Sequence, residues 1–254
     1  MSLLKKNQES PAFRQGEYVT SISESYIEDL CEKYNIDMQT AIDCINNAIQ
    51  SYSKNTALTI SKNDGNIDMS VFRLFDFKKV DLTAFDKDRI HKISKLLRYY
   101  LNIAKYKSLY NNYKHLIGKL VYGNITLKTH EGYLIDLDRN YIFNIPAGVK
   151  SLYPLQFQPV PERGTYVGGD YMVFVINSIR RIAYGDIEFI LSRTSIQLPE
   201  LIIKNELKIN GIKTVLRIPG TITRLKTELN IPQQTIDHVK ELLRGESIYV
   251  FKER

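Results

Sequence analysis

The residue types that perform most catalytic chemistry are present in this chain, but their spacing assembles no reactive group. Asp136 and Asp138 are two positions apart on a predicted strand, which places both carboxylates on one side, where a pair could hold a metal ion for nuclease chemistry. A solvent-facing strand edge is the simpler explanation, and we prefer it. No histidine has a second ligand at metal-binding spacing, since the four are His91, His115, His130 and His238. We predict no metal site.

Nucleophilic and nucleotide-dependent chemistry find no support either. Ser192 has no His or Asp nearby in the sequence to activate its hydroxyl. Gly168 and Gly169 precede a predicted strand rather than a helix, and no Gly-rich loop ends in Lys-Ser or Lys-Thr, as a phosphate-cradling loop does. Cys31 and Cys44 are the only cysteines and cannot build a zinc cluster or a disulfide framework. We therefore expect a protein that is not an enzyme and uses no cofactor.

Basic residues are concentrated on one predicted helix, which suggests binding chemistry. Residues 87–117 carry eight basic groups and one acidic group, whereas residues 1–55 carry five and eight. On a helical wheel the apolar side chains of this segment fall within one arc, and a basic arc adjoins it. The basic arc consists of Lys92, Lys95, Arg98 and Lys105. We expect it to contact phosphate groups or an acidic protein surface.

A second set of candidate binding residues lies further along the chain. It combines cations, which follow a phosphate backbone, with an aromatic ring that could stack on a base. The set consists of Lys119, Lys128, Tyr133, Arg163, Arg180, Arg181, Arg193 and Arg217. The alternative for these residues is an ordinary solvated surface. We favour single-stranded RNA as their partner.

The composition is that of a globular protein, with 43% hydrophobic and 25% charged residues. At 254 residues the chain is long enough for two or three small domains, and its net charge of +7 favours an anionic partner. The sequence has no run of about 20 apolar residues, and its first residues lack the apolar core of a secretory signal. We expect a cytoplasmic protein without a membrane partner.

Three predicted modules would position these residues, and together they indicate an α+β multidomain fold. The first ten or so residues are polar, residues 1–20 are expected to be a flexible N-terminus, and residues 21–117 are expected to form the first module. Helical spacing over residues 21–53, interrupted at Asn35, predicts two helices. Alternating residues on both sides of Asn63-Asp64-Gly65 predict a hairpin, because Asp-Gly supplies the positive φ of a tight turn. The long basic helix completes this module.

Residues 118–194 are predicted to form the second module, a small β-barrel. Six short strands are too few for a sandwich but suit a closed barrel of the OB type, with five to six strands. They cover residues 119–122, 125–128, 132–137, 141–145, 171–179 and 187–192. Barrels of this type commonly bind single-stranded nucleic acid.

Residues 195–254 are predicted to form a small C-terminal α/β module with two alternative folds. Helices are expected at residues 198–207 and 233–243, and strands at 213–217 and 247–251. One alternative is a degenerate KH-like fold. The other is a helix-turn-helix, in which residues 222–229 form the first helix, Asn230-Ile-Pro232 the turn and residues 233–243 the second helix.

Several segments, in the order in which they occur, form a pattern that is more specific than any one of them. The most specific is Gly185-Asp-Ile-Glu-Phe-Ile-Leu-Ser-Arg-Thr194, followed by Pro199-Glu200 and Glu206. It resembles the junction between the OB-type module and the first KH module of the NusA family of bacterial transcription factors. Upstream, Lys62-Asn-Asp-Gly-Asn-Ile-Asp68 and Lys114-His-Leu-Ile-Gly118 are similar to that family's N-terminal domain and the helix that enters its barrel.

The resemblance implies a non-catalytic transcription elongation factor that modulates pausing, termination or antitermination. The N-terminal domain, residues 21–117, would bind RNA polymerase, with the basic arc of Lys92, Lys95, Arg98 and Lys105 as candidate contacts. The barrel would bind nascent single-stranded RNA. Other transcription factors are further expected partners.

The C-terminal end departs from the family pattern. Arg217-Ile-Pro-Gly220 resembles part of the first KH module, but Pro232-Gln-Gln-Thr235 lies where the RNA-clamping Gly-x-x-Gly loop would be. The KH region is therefore expected to be truncated and degenerate. Two alternative functions remain: a free-standing OB-type single-stranded RNA-binding protein, and a DNA-binding regulator that uses the helix-turn-helix.

Overall fold

The computed structural model of the chain describes residues 24–52, 56–63, 66–73, 79–80, 87–139 and 149–252. The chain divides into two compact units, Met1–Ser108 and Leu109–Arg254. The described part is α+β, with five α-helices and a closed five-stranded barrel. Within this part, no helix has the length and apolar character needed to cross a membrane.

The first unit begins with a pair of helices. Helix α1 (Glu24–Tyr34) ends at Asn35, which has a positive φ of 51°, and helix α2 (Met38–Tyr52) follows. Asp37 caps α2, because its carboxylate accepts hydrogen bonds from the backbone N–H (2.8 Å) and the hydroxyl (2.7 Å) of Thr40. The predicted pair of helices, interrupted at Asn35, is confirmed.

A hairpin and a long helix complete the described part of this unit. Strands β1 (Thr56–Asn63) and β2 (Asn66–Arg73) pair antiparallel, which confirms the predicted hairpin, and β3 (Lys79–Val80) pairs with β2. Helix α3 (Lys87–Tyr113) begins here and extends beyond the boundary of the unit. The buried core draws on all three helices and comprises Ile27, Leu30, Ala41, Cys44, Ile45, Ile49 and Leu101.

The barrel in the second unit has five strands: β4 (Leu120–Lys128), β5 (Gly132–Leu137), β6 (Lys150–Pro154), β7 (Tyr171–Arg181) and β8 (Ile187–Ser192). They close in the order β4-β5-β6-β8-β7, with β6 and β8 parallel and the other pairs antiparallel. Such a closed, mixed barrel is compatible with the OB type.

The strand boundaries differ from the prediction in two places. Residues 119–122 and 125–128 were expected as separate strands, but residues 120–128 form the single strand β4. Gly123 lies within this strand because the backbone of β5 approaches it closely: a Cβ there would lie 2.6 Å from the Asp136 carbonyl oxygen. Strand β6 was not predicted, since three consecutive buried residues hide its two-residue alternation. The strand predicted at residues 141–145 lies outside the described residues.

The C-terminal module contains α4 (Leu198–Leu207), β9 (Ile212–Ile218), β10 (Ile222–Thr227), α5 (Gln233–Leu242) and β11 (Ser247–Lys252). Its sheet has the order β11-β10-β9, and β10 is antiparallel to β9 and parallel to β11. The helix-turn-helix prediction is wrong, because residues 222–227 form a strand. Thr223, Leu225 and Thr227 are buried at alternate positions, a period of two that a helix would not produce.

The barrel and the C-terminal module share a hydrophobic core. Tyr122, Val173 and Val175 of the barrel belong to the same buried cluster as Leu198 and Ile202 of α4. The cluster continues through Ile203, Ile212, Leu225, Ile231, Val239, Leu243 and Ile248. Unfolding of one part would therefore expose apolar surface of the other.

Candidate nucleic-acid interface

An open groove on the barrel brings together two of the predicted RNA-binding residues, Arg163 and Arg180. Its wall is formed by β6, β7, β8 and the segment that follows β6, and it includes the apolar side chains of Leu152, Leu155 and Phe157. Leu155 is 56% exposed. The combination of cations with exposed apolar surface suits a ligand that carries both phosphates and flat rings.

Arg180 is held in place by two carboxylates. Its Nη2 donates a hydrogen bond to Glu188 Oε2 (2.6 Å), and its Nη1 lies 2.8 Å from Glu131 Oε2. Hydrogen bonds to Glu131 and Glu188 raise the pKa of the Arg180 guanidinium. Because these carboxylates offset its charge, Arg180 organises the wall of the groove more than it attracts phosphate.

Four other predicted residues of the barrel region are exposed: Lys119, Lys128, Arg163 and Arg181. Arg181 is the last residue of β7, Lys119 immediately precedes β4 and Lys128 ends it, and none of the three lines the groove. Arg163 is therefore the exposed cation best placed to reach a strand of RNA in the groove.

The turn between β7 and β8 supplies an aromatic residue that the sequence interpretation missed. Tyr184 is 75% exposed and has a positive φ of 60°, a conformation that bulky residues rarely adopt. A hydrogen bond from the Ile182 N–H to the Asp186 carbonyl (2.9 Å) closes the turn around it. The sequence signal that could have identified this residue is a Tyr-Gly pair between two predicted strands. Its ring is available for stacking on a base.

Arg193 was predicted to bind RNA, and the structure contradicts this role because its side chain is 1% exposed. The guanidinium donates to both carboxylate oxygens of Glu162, at 3.0 and 3.2 Å. It also donates to the backbone carbonyls of Val173 (3.0 Å) and Leu242 (3.1 Å), which joins the barrel to α5. The role of Arg193 is therefore structural.

Arg217 is a second correction, since its side chain is also 1% exposed. Its Nε and Nη2 donate to the two carboxylate oxygens of Glu246, each at 2.9 Å. Glu246 further accepts hydrogen bonds from the Gly220 N–H (2.9 Å) and the Thr223 hydroxyl. The side chain of Arg217 and the backbone of Gly220 therefore stabilise the turn between β9 and β10 through Glu246.

Tyr133, the predicted stacking residue, is the third correction. It is 6% exposed, and its ring packs edge-on against Tyr166 at a centroid distance of 5.4 Å. The Tyr166 hydroxyl lies 2.8 Å from that of Tyr153 and donates a hydrogen bond to Glu162 (2.9 Å). Tyr153 and Tyr166 belong to a buried polar network with Glu162 and Arg193, and Tyr133 packs against this network.

The basic arc of α3 faces solvent at Lys92, Lys95 and Arg98, whereas Lys105 is half-buried. The opposite side of the helix packs into the core of the first unit through Leu101, with Ile93 and Leu97 against the same cluster. The predicted amphipathic arrangement is confirmed for these residues. Binding of phosphate groups or of an acidic protein surface by this arc stays a prediction.

Asp136 is exposed, and Asp138 accepts a hydrogen bond from the Tyr171 hydroxyl (2.9 Å). Within the described ranges, His, Cys, Asp and Glu form no group of three that could hold a metal ion. This part of the structure therefore offers no argument for metal-dependent chemistry at the aspartate pair.

Comparison with known proteins assigns the chain to no family. No protein-family model matches the sequence, and no curated protein is significantly similar to it.

Proposed function

We propose that this protein is a non-catalytic transcription elongation factor of the NusA type, which binds RNA polymerase and nascent single-stranded RNA. The observation that carries the RNA part is the barrel groove with Arg163, Arg180 and Leu155 in its wall. The polymerase part rests on the sequence resemblance centred on the segment that ends at Ser192-Arg193-Thr194.

The barrel is proposed to be an OB fold that holds RNA at the groove. Its strand order is compatible with that fold, in which the face of the second and third strands and the loop between the fourth and fifth bind oligonucleotides. The corresponding parts here are β5, β6 and the β7–β8 turn that carries Tyr184. Arg163 would neutralise a phosphate, and Tyr184 would stack on a base.

The polymerase is proposed to meet the first unit at the basic arc of α3. Lys92, Lys95 and Arg98 are exposed on successive turns of that helix, where they would face an acidic surface. The C-terminal module is proposed to be a degenerate KH-like fold that supports the barrel. Its Arg217–Glu246 pair and the core that it shares with the barrel favour this supporting role.

Co-elution of the full chain with core RNA polymerase at about 0.1 M salt, where surface electrostatics still operate, tests the polymerase part. We expect a stable complex that is weakened when Lys92, Lys95 and Arg98 are changed together to Ala. A charge-matched control changes Lys107, Lys114 and Lys208 to Ala and should leave the complex intact. Absence of co-elution would refute the elongation-factor assignment and favour a free-standing single-stranded RNA-binding protein.

The salt dependence of RNA binding tests the barrel. Arg163→Ala should weaken binding of a single-stranded oligonucleotide and reduce the slope of log K against log salt by about 0.7 for each lost phosphate contact. Lys208→Ala, which removes an exposed cation outside the groove, is the matched control. Arg163 is a cleaner probe than Arg180, whose removal would leave Glu188 without an ion-pair partner. An unchanged slope for Arg163→Ala would show that RNA does not use this groove.

A further inference from the structure

The sheet of the C-terminal module has one covered face and one open face. Ile212, Leu225 and Ile248 point to the covered face, where they are buried in the core with α4 and α5. The opposite side chains form three rows across the strands, set by the register of the sheet. The rows are Lys213–Lys226–Phe251, Leu216–Arg224–Tyr249 and Ile218–Ile222–Ser247, and we call these nine residues the open sheet face.

Two aromatic rings are exposed side by side on this face. Tyr249 is 51% exposed and Phe251 is 50% exposed. They are two residues apart on β11, so they project from the same side of the strand at a spacing of about 6.6 Å. Contiguous exposed apolar surface is a feature of interaction sites. The pair forms a platform on which two flat rings of a ligand could stack.

Each aromatic residue has a cation beside it on the neighbouring strand. The parallel register places Arg224 opposite Tyr249 and Lys226 opposite Phe251, and Lys213 completes the row with Phe251. None of the nine residues of the open sheet face is acidic. Their chemistry is therefore complementary to a chain that repeats a negative charge and a planar ring.

We infer that the open sheet face binds a single strand of nucleic acid, with bases stacked on Tyr249 and Phe251 and phosphates held by Lys213 and Arg224. A protein partner fits less well, because the buried centres of protein interfaces are depleted in Lys. Stacking on the aromatic residues of an open sheet is an established way of binding unpaired bases. The inference does not rest on RNA binding by the barrel groove.

The absence of Trp from the chain allows a direct test. Phe251→Trp introduces the chain's single tryptophan on the open sheet face, and 12-nucleotide RNA and DNA strands of the same sequence serve as probes. We expect saturable quenching of its fluorescence by at least one of the strands. The matched control is Leu229→Trp, which places the fluorophore at an exposed position after β10 and outside the face. Equal response at both positions, or none at position 251, would overturn the inference.

A second pair of variants separates stacking from general apolar contact. Tyr249→Leu with Phe251→Leu keeps apolar bulk but removes both aromatic rings, and we expect affinity for the strand to fall at least about tenfold. Tyr249→Phe with Phe251→Tyr keeps both rings and should bind as the wild type does. Affinity retained by the Leu variant would overturn stacking. Quenching that depends on protein concentration without nucleic acid would instead identify a second copy of the chain as the occupant and also refute the inference.

The proposal for the barrel groove and the proposal for the open sheet face can be refuted independently of each other. The Leu variant is measured both in the wild-type chain and together with Arg163→Ala. If only the barrel binds RNA, the Leu substitutions change affinity in neither background. If the open sheet face binds, they lower affinity in both backgrounds, whatever Arg163→Ala does by itself.

Discussion

The guanidinium groups of Arg193 and Arg217 each meet a carboxylate inside the protein. Each also donates to the backbone, Arg193 to the carbonyls of Val173 and Leu242 and Arg217 to that of Ser195. A buried cation without a partner is costly, and this is why both arginines come with a buried glutamate, Glu162 and Glu246. At the scale of single residues, these pairs organise the second unit.

Removal of the Arg193 guanidinium should destabilise the protein strongly. Arg193→Met leaves the Glu162 carboxylate buried without its cation, and we expect a loss of about 3–5 kcal/mol in the free energy of unfolding. Urea denaturation would measure it. Arg163→Ala, at an exposed position, should change stability by less than about 0.5 kcal/mol. Adding Glu162→Gln to Arg193→Met should recover part of the loss, and a single-variant loss below about 1 kcal/mol would contradict the structural role.

The carboxylate of Glu246 should give stability a dependence on acid pH. Burial raises its pKa, but the hydrogen bonds and the charge of Arg217, with hydrogen bonds from Thr223 and Gly220, outweigh burial and hold the pKa below its ordinary value. A carboxyl group with a depressed folded-state pKa contributes its full stability above the unfolded pKa of about 4.3. That contribution is lost as the pH falls through the folded-state pKa.

The stability of the wild type relative to Glu246→Gln measures this effect. We expect the difference in free energy of unfolding to be constant between about pH 5 and 8 and to shrink below about pH 4.3. Denaturation curves collected across this range would show it. A difference that stays constant down to the acid limit would mean that Glu246 keeps an ordinary pKa in the folded protein.

At the scale of elements, the turn between β9 and β10 contacts the segment that follows β6. Gly220 has a positive φ of 76°, and a Cβ at this position would lie 3.0 Å from Pro159 Cβ and 3.1 Å from Pro161 Cδ. Both the backbone conformation and the close approach therefore favour glycine here. The contact is one of the points at which the C-terminal module meets the barrel.

Gly220→Ala should destabilise the protein more than Gly211→Ala. Gly211 has a similar positive φ of 93°, but a Cβ there would have nothing within 4 Å. Both substitutions incur a backbone cost of about 1–2 kcal/mol, and Gly220→Ala adds steric overlap of about 1 kcal/mol or more. Thermal unfolding of the two variants provides the comparison. Equal losses of stability in the two variants would show that the turn can move away from the prolines.

At the scale of the whole molecule, the shared core couples the barrel to the C-terminal module. We expect a fragment of residues 109–254 to fold by itself and to unfold in one cooperative transition, because the core crosses from one part to the other. Coincident denaturation curves from far-ultraviolet circular dichroism and tyrosine fluorescence would establish this.

A variant in the shared core provides the control. Ile202→Ala should lower the free energy of unfolding of the fragment by about 2–5 kcal/mol, and by the same amount in both signals, although the residue lies on α4 outside the barrel. Ile196→Ala, at an exposed position, should shift neither appreciably. Separate transitions would show that the two parts fold independently.

Local patterns in the sequence were sufficient to predict much of the secondary structure. The helix pair broken at Asn35, the hairpin of β1 and β2, the amphipathic α3 and most barrel strands follow from spacing and turn residues, because these depend on neighbours close in the chain. Two local signals were misread. Gly123 marks a close approach within a strand rather than a turn, and residues 222–227 alternate with the period of a strand.

The roles of the charged and aromatic residues were decided only by the tertiary structure. The sequence by itself determined a basic chain with many possible RNA contacts, but not which arginines are buried. Arg193 and Arg217 are neutralised by Glu162 and Glu246, 31 and 29 residues away. The open sheet face arises in the same way, since pairing between strands brings Arg224 beside Tyr249. Burial and register depend on contacts between distant segments, and one-dimensional spacing does not contain them.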